Sequence, residues 1–243
     1  MRLTRIYLDD PLEPGSEVTL KGSAASHVTR VLRLRVSDAL TLFNGSGGEF
    51  AGTILSSKGG TVSVAVGQPD NPVRESPLRT VLAQGVSRGE RMDLTVQKAT
   101  ELGVSQILPV LAERSVVRLD AQQTARKLAH WRKIAIAACE QCGRNTVPDI
   151  AAPVSLKEML RTDLKAATNL LLSPQATLRI AELPRPTGAV TVLIGPEGGL
   201  TDEEQESVRA AGFLAVRLGP RVLRTETAAL AVLTLLQRQF GDL

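Results

Sequence analysis

From Thr80 to the C-terminus, short runs of branched apolar residues alternate with longer amphipathic stretches. That alternation constrains the fold more than any other feature of the chain. Thr80–Gln84, Gln106–Val110, Asn169–Leu172, Val190–Ile194 and Leu214–Leu218 have the length and composition of strands. Glu90–Leu102, Thr124–Gln141 and Thr227–Gln239 read as helices, and Thr201 with Glu204 forms a Thr-x-x-Glu capping box that opens another, running to about Ala211. Strands that take turns with helices predict a mostly parallel sheet, because each crossover helix must bury its apolar stripe on a sheet face. In such a sheet the loops at the carboxyl ends of the strands form the ligand crevice.

The first 70 residues follow a different pattern. Val18–Leu20, Ala39–Phe43, Phe50–Leu55 and Val62–Val66 are short strands separated by Gly, Ser and Asn clusters. Asn44-Gly45-Ser46-Gly47-Gly48 predicts a hairpin connection. Its G-x-G is not a dinucleotide loop, since the chain returns at once to a strand instead of opening a helix. A small β-barrel over 1–70 is expected. Gly67–Arg79 carries three prolines and few apolar residues, so residues 71–79 are expected to link the barrel to an α/β domain over 80–243.

The 243 residues suffice for two modest cores, and no run approaches the ~18–20 apolar residues of a membrane span. The start, MRLTRIYLDD, lacks the apolar segment of a secretory signal, so a cytoplasmic location is the expectation. Cys139 and Cys142 form a C-x-x-C, but the pair closes a helical run where a redox pair would open one. His27 and His130, the two histidines, are not at zinc-finger spacing, so two reduced thiols and no metal are expected. The net charge of +4 leans mildly towards polyanions. With six aromatic side chains in all, any RNA recognition would rest on Arg, Lys, backbone and shape, with little base stacking.

Five segments carry more polarity or glycine than turns require. Ile194-Gly195-Pro196-Glu197-Gly198-Gly199-Leu200 joins a buried strand to the Thr201 cap, and its glycines allow the backbone to approach a ligand closely. It has neither the Lys-Ser/Thr of a phosphate loop nor the spacing of a dinucleotide loop, so taken alone it is a generic ligand loop, with a ligand-free tight turn as the bland alternative. Leu218-Gly219-Pro220-Arg221-Val222-Leu223-Arg224-Thr225-Glu226-Thr227-Ala228 also follows a strand and enters a helix, where Thr225 or Thr227 could serve only as a cap. The two loops together point to one shared pocket. Lys98-Ala99-Thr100-Glu101-Leu102-Gly103 and Glu140-Gln141-Cys142-Gly143-Arg144 end helices at glycine stops, and C-caps alone could explain them. Arg30, Arg33 and Arg35, beside His27, are concentrated in a region with as many acidic as basic residues over 1–75. Guanidinium groups suit phosphate contacts, whereas a solvated charged face is the bland alternative.

Read together, RIYL, HVTRVLR, KATELGV, EQCGR, IGPEGGLTDEE and LGPRVLRTETAA resemble the RsmE family of 16S ribosomal RNA uridine N3-methyltransferases, over nearly the whole chain. The resemblance implies a PUA-like N-terminal domain and a SPOUT-type α/β domain with a C-terminal trefoil knot. It also implies a homodimer, S-adenosyl-L-methionine as cofactor, and 16S ribosomal RNA within the small subunit as partner. Carried over by position, cofactor contacts fall on Leu172, Gly195, Pro196, Glu197, Gly198, Gly199, Leu218, Gly219, Val222, Leu223, Thr225, Thr227 and Ala228. RNA contacts are expected at Arg5, His27, Arg30, Arg33 and Arg35.

Uracil N3 carries a proton and attacks poorly until that proton leaves, so a base or an anion-stabilising cation is required. Glu197 and Glu226 are the candidate bases, with Arg224 and Arg144 as candidate partners of the anion. Three other readings stay open at this point: a related enzyme acting on transfer RNA or a ribose hydroxyl, a non-catalytic RNA-binding assembly factor, and a nucleotide-binding α/β protein.

Overall fold

A computed structural model of the chain describes residues 4–117, 120–162 and 168–243. It divides into two compact units, one of residues up to Glu75 together with Cys139–Val147, the other of Ser76–Ala138 and Pro148–Leu243.

The first unit is built on a five-stranded sheet of β1 (Arg5–Tyr7), β2 (Glu17–Leu20), β3 (Ala39–Phe43), β4 (Glu49–Lys58) and β5 (Thr61–Asp70), in the order β1-β3-β4-β5-β2. The β1–β3 pair is parallel and the other pairs are antiparallel. Strand β5 shows the period of two that a half-buried strand needs: Val62, Val64 and Val66 point inward and their neighbours outward. Helix α1 (Gly22–Ser26) and the π-helical turn His27–Val31 supply Ala25 and Val28 to the same core, beside Leu20, Leu40, Leu42 and Ile54. Packing decides the residue at Gly52, where a Cβ would meet Leu40 Cδ1 at 2.7 Å. The expected strands are present, Ala39–Phe43 with the same bounds and the other three longer. Strand β1 and the α1 segment were not among the expectations.

The second unit holds a parallel sheet of β6 (Thr80–Gly85), β7 (Gln106–Leu111), β8 (Asp149–Ile150), β9 (Val154–Ser155), β10 (Thr168–Leu172), β11 (Val190–Ile194) and β12 (Leu214–Val216). The order is β12-β10-β11-β6-β7-β8, with β9 also on β7. Strands β6 and β11 are buried at every residue, as strands covered on both faces must be. Its helices are α2 (Glu90–Glu101), the body of α3 (Ala121–Cys142), α4 (Leu156–Arg161), α5 (Asp202–Ala210) and α6 (Thr225–Phe240). The α5 capping box forms as its sequence signature predicts: Thr201 Oγ1 accepts from the Glu204 N–H at 3.2 Å, and Glu204 Oε2 accepts from the Thr201 N–H at 3.0 Å. No helix among the described residues is long and apolar enough to cross a membrane.

A single α/β domain over 80–243 was expected, but Cys139–Val147 groups with the first unit. The reason is a polar network inside that unit. Glu140 Oε1 accepts from the Tyr7 N–H at 3.0 Å, and Arg5 Nη2 donates to the Arg144 carbonyl at 3.0 Å. Arg144 Nε donates to Glu75 at 2.9 Å, and Arg74 Nη1 donates to the Gly143 carbonyl at 2.8 Å. Cys139 and Cys142 are free thiols, and burial above all pushes the Cys139 thiol up to about 12, which leaves it inert at neutral pH.

Candidate active site

All the pairings of the second sheet are parallel, so β6, β10, β11 and β12 end on one edge. Gln84 lies opposite Ile194 and Leu172 opposite Val216, which brings the loops that leave these strands side by side. Between them is a cavity of about 710 Å³, within the range of small-molecule sites. Leu171, Leu172, Ile194, Leu218 and Leu223 give it apolar wall, while Gly195–Leu200 and Arg221–Glu226 bring backbone and charge.

One side chain clasps the two glycine-bearing loops. Thr225 Oγ1 donates to the Gly195 carbonyl at 2.9 Å and accepts from Gln84 Nε2 at 2.7 Å. Thr225 and Gln84 are buried, so both hydrogen bonds are shielded from competing water. The first loop also lies hard against β6: a Cβ on Gly85 would stand 2.3 Å from Pro196 N and 2.6 Å from Gly195 C. On its other side, a Cβ on Gly198 would meet Arg114 Cβ at 3.0 Å. Gly199, at φ +70, makes the turn that lets Thr201 open α5.

The charged groups are arranged unequally. Glu197 accepts from the Arg88 N–H at 3.2 Å and from Arg91 Nη1 at 3.0 Å. Burial pushes its carboxyl up, but hydrogen bonds from its own backbone, Arg88 and Arg91, with the Arg91 charge, hold it below the usual carboxylate range. A carboxylate stabilised in its charged form makes a weak base. Glu226, in the first turn of α6, differs. It is buried, its Oε1 lies 4.0 Å from Arg91 Nε, and its Oε2 has no hydrogen-bond partner among the described residues. Arg224, the residue that N-caps α6, is exposed on the cavity wall.

Of the thirteen expected cofactor positions, Thr227 alone is absent from the lining; it is exposed, one residue beyond Glu226. Glu197, Arg224 and Glu226 are on the wall. Arg144 is not. It belongs to the first unit, is 5% exposed, and its Nη2 donates to Glu75 at 2.6 Å, so the structure does not bring it together with the other three. Arg5 is also buried: it is 6% exposed, pairs with Glu49, and its guanidinium carbon stands 4.6 Å over the Phe43 ring. His27, Arg30, Arg33 and Arg35 are exposed, and the three arginines have no ion pair among the described residues. Gln84, Gly85, Arg88, Arg91 and Arg114 were missed. For the first three a signal existed: Gln84-Gly85-Val86-Ser87-Arg88-Gly89 is a third polar, glycine-bearing run, from the end of a strand to the start of a helix.

The RNA methyltransferase domain family matches residues 74–237, and the RNA methyltransferase PUA domain family matches 20–66. The chain belongs to the RNA methyltransferase family. Among relatives of this RNA methyltransferase, the ribosomal RNA small subunit methyltransferase E of Buchnera aphidicola from Schizaphis graminum is 36% identical, over 100% of this chain and 98% of its own. The Bacillus subtilis protein of that name is 31% identical over 94% and 92%. A Legionella pneumophila methyltransferase, solved with bound SAM, superimposes with a TM-score of 0.96 at 43% identity over 100% of both chains. The Neisseria gonorrhoeae ribosomal RNA small subunit methyltransferase E, bound to S-adenosyl methionine, gives 0.92 at 38% identity over 99% of both. The RNA methyltransferase fold is thus a PUA-like unit with a parallel-sheet SPOUT-type catalytic unit.

Proposed function

We propose that the chain is an S-adenosyl-L-methionine-dependent methyltransferase that methylates N3 of a uridine in 16S ribosomal RNA of the small subunit. The observation that carries this reading is the Thr225 clasp, which makes the 195–200 and 218–226 loops two walls of one cavity. The cavity fits the cofactor: it offers apolar surface to a nucleoside, glycine backbone at close range, and in Glu226 Oε2 an acceptor still without a partner. Leu172, Gly195, Pro196, Gly198, Gly199, Leu218, Gly219, Val222, Leu223, Thr225 and Ala228 would hold it. When bound, S-adenosylmethionine supplies a methyl carbon on a positively charged sulfur that departs as a neutral thioether.

The protein's own contribution is to orient the base and to take a proton. N3 lies on the Watson–Crick edge, so the uridine must be unpaired or flipped out. Glu226 accepts the N3 proton as the new N–C bond forms, and the Arg224 guanidinium stabilises negative charge on the uracil ring. Glu197, already held by Arg88 and Arg91, fixes the loop that carries it. The reading includes a cytoplasmic homodimer and a trefoil-knotted path. The crossover from β11 through α5 to β12, which passes β10, supports that path.

The deciding experiment supplies labelled S-adenosylmethionine and small subunits that lack the modification, then maps the label. Label on N3 of one uridine of 16S RNA is expected. Label on a ribose hydroxyl or in transfer RNA would replace the substrate assignment, and no label with no cofactor affinity would overturn the enzyme.

On the first unit, His27, Arg30, Arg33 and Arg35 form the proposed RNA face. Removing two phosphate contacts from single-stranded RNA lowers the slope of log affinity against log salt by about 1.4. Arg30→Ala with Arg33→Ala is therefore expected to weaken RNA binding about tenfold and flatten that slope. An unchanged slope in a salt titration would remove both residues from the interface.

A further inference from the structure

Beside the cofactor cavity lies a second one of about 550 Å³, lined by Arg88, Gly89, Glu90, Arg91, Val116 and Glu197. It shares Arg91 and Glu197 with its neighbour, so their 3.0 Å ion pair is the partition between the two. We propose that this second lobe receives the flipped target nucleotide, with the phosphate on Arg88 and the base against Val116. The proposal rests on the methyltransferase reading and names where the RNA enters.

Three features carry it. The first is position: Arg91, on the partition, also lies 4.0 Å from Glu226, so a base entering through the lobe arrives beside the group that takes its proton. The second is chemistry. The Arg88 guanidinium is exposed and has no partner among the described residues, Val116 is an apolar side chain 50% exposed, and Glu90 is an exposed acceptor. A cation, an apolar face and an acceptor match the phosphate, base and ribose hydroxyl of one ribonucleotide. The third is shape. Gly89 has φ +58 and ψ −136, a combination that side-chained residues avoid, and it bends the chain between Arg88 and Glu90 around the lobe. The volume of about 550 Å³ is in the range that holds one extruded nucleotide.

Val116→Trp would fill the lobe, and Arg88→Ala would remove its cation; both residues are exposed, so each variant is expected to fold. Cofactor affinity by calorimetry should stay within about twofold of wild type in both. For small subunits, Val116→Trp should lower kcat/KM about 100-fold. Arg88→Ala should raise KM about tenfold and reduce the salt slope of RNA affinity by about 0.7, one phosphate's share. Wild-type kcat/KM in both variants would overturn the lobe, as would a cofactor affinity that falls in step with turnover. Should wild-type protein transfer no methyl at all, the enzyme reading fails separately. The lobe is then judged by equilibrium binding of a small-subunit RNA fragment, where an Arg88→Ala slope equal to wild type overturns it and a shallower one supports it.

Discussion

Glu226→Gln is expected to lower kcat for methyl transfer roughly 100- to 10,000-fold, the usual worth of a positioned general base, and to leave cofactor affinity within about threefold. The amide has the shape of the carboxylate, so the buried site is neither emptied nor crowded. It cannot accept the N3 proton. The structural cost is small, because Glu226 sits in the first turn of α6 and its interaction with the helix dipole contributes only about 0.3–1 kcal/mol. Arg91 keeps its 3.0 Å contact with Glu197 when Glu226 loses its charge, so the partition survives. Single-turnover rates with labelled cofactor measure the loss directly. A Glu226→Gln rate near wild type, with Glu197→Gln inactive, would transfer the base to Glu197 in spite of its hydrogen bonds.

The legibility of this chain follows from where its residues are buried. Strands β6 and β11 are covered on both faces and read as short runs made mainly of apolar residues, and their expected ranges differ from the observed ones by a residue at most. The capping box at Thr201 is a local chemical pattern, and it too was visible. The same pattern at Ser155 and Glu158 passed unread because α4 is only six residues long and shows little periodicity. Strand β1 was hidden by Arg5, a charged residue that reads as surface until Glu49, 44 positions away, closes over it. Arg144 is alike in this: Glu75, 69 positions away, holds its guanidinium. Tertiary partners decide whether an arginine is buried, and sequence neighbours do not reveal them. Each glycine loop alone could be a turn or a cap, and they were legible as a pair because two such loops after parallel strands share one ligand edge. Gln84 and Gly85 gave the weaker signal, since their roles exist only through Thr225 and Pro196.

Gly85→Ala isolates that hidden part of the site and is expected to abolish measurable cofactor binding, with affinity down 100-fold or more. The backbone at Gly85 lies outside the left-handed region, so alanine meets no conformational penalty and the whole effect is steric. Its Cβ would stand 2.3 Å from Pro196 N and 2.8 Å from Pro196 Cδ, and neither atom is the movable end of a flexible side chain. Relief requires the 195–199 loop to withdraw from β6. That withdrawal pulls the Gly195 carbonyl from Thr225 Oγ1 and opens the cavity between its two walls. Overpacking of this kind costs about 1–3 kcal/mol, and each kcal/mol lowers Tm by ~2–4 °C in a protein of this size. A fall of roughly 2–12 °C is therefore expected in a thermal melt, with the protein still folded. Glu226→Gln keeps the cofactor and loses the proton transfer, whereas Gly85→Ala loses the cofactor, so the pair separates holding the methyl donor from activating the base. A Gly85→Ala protein that binds S-adenosylmethionine as wild type does would mean that the 195–199 loop is not the wall that holds it.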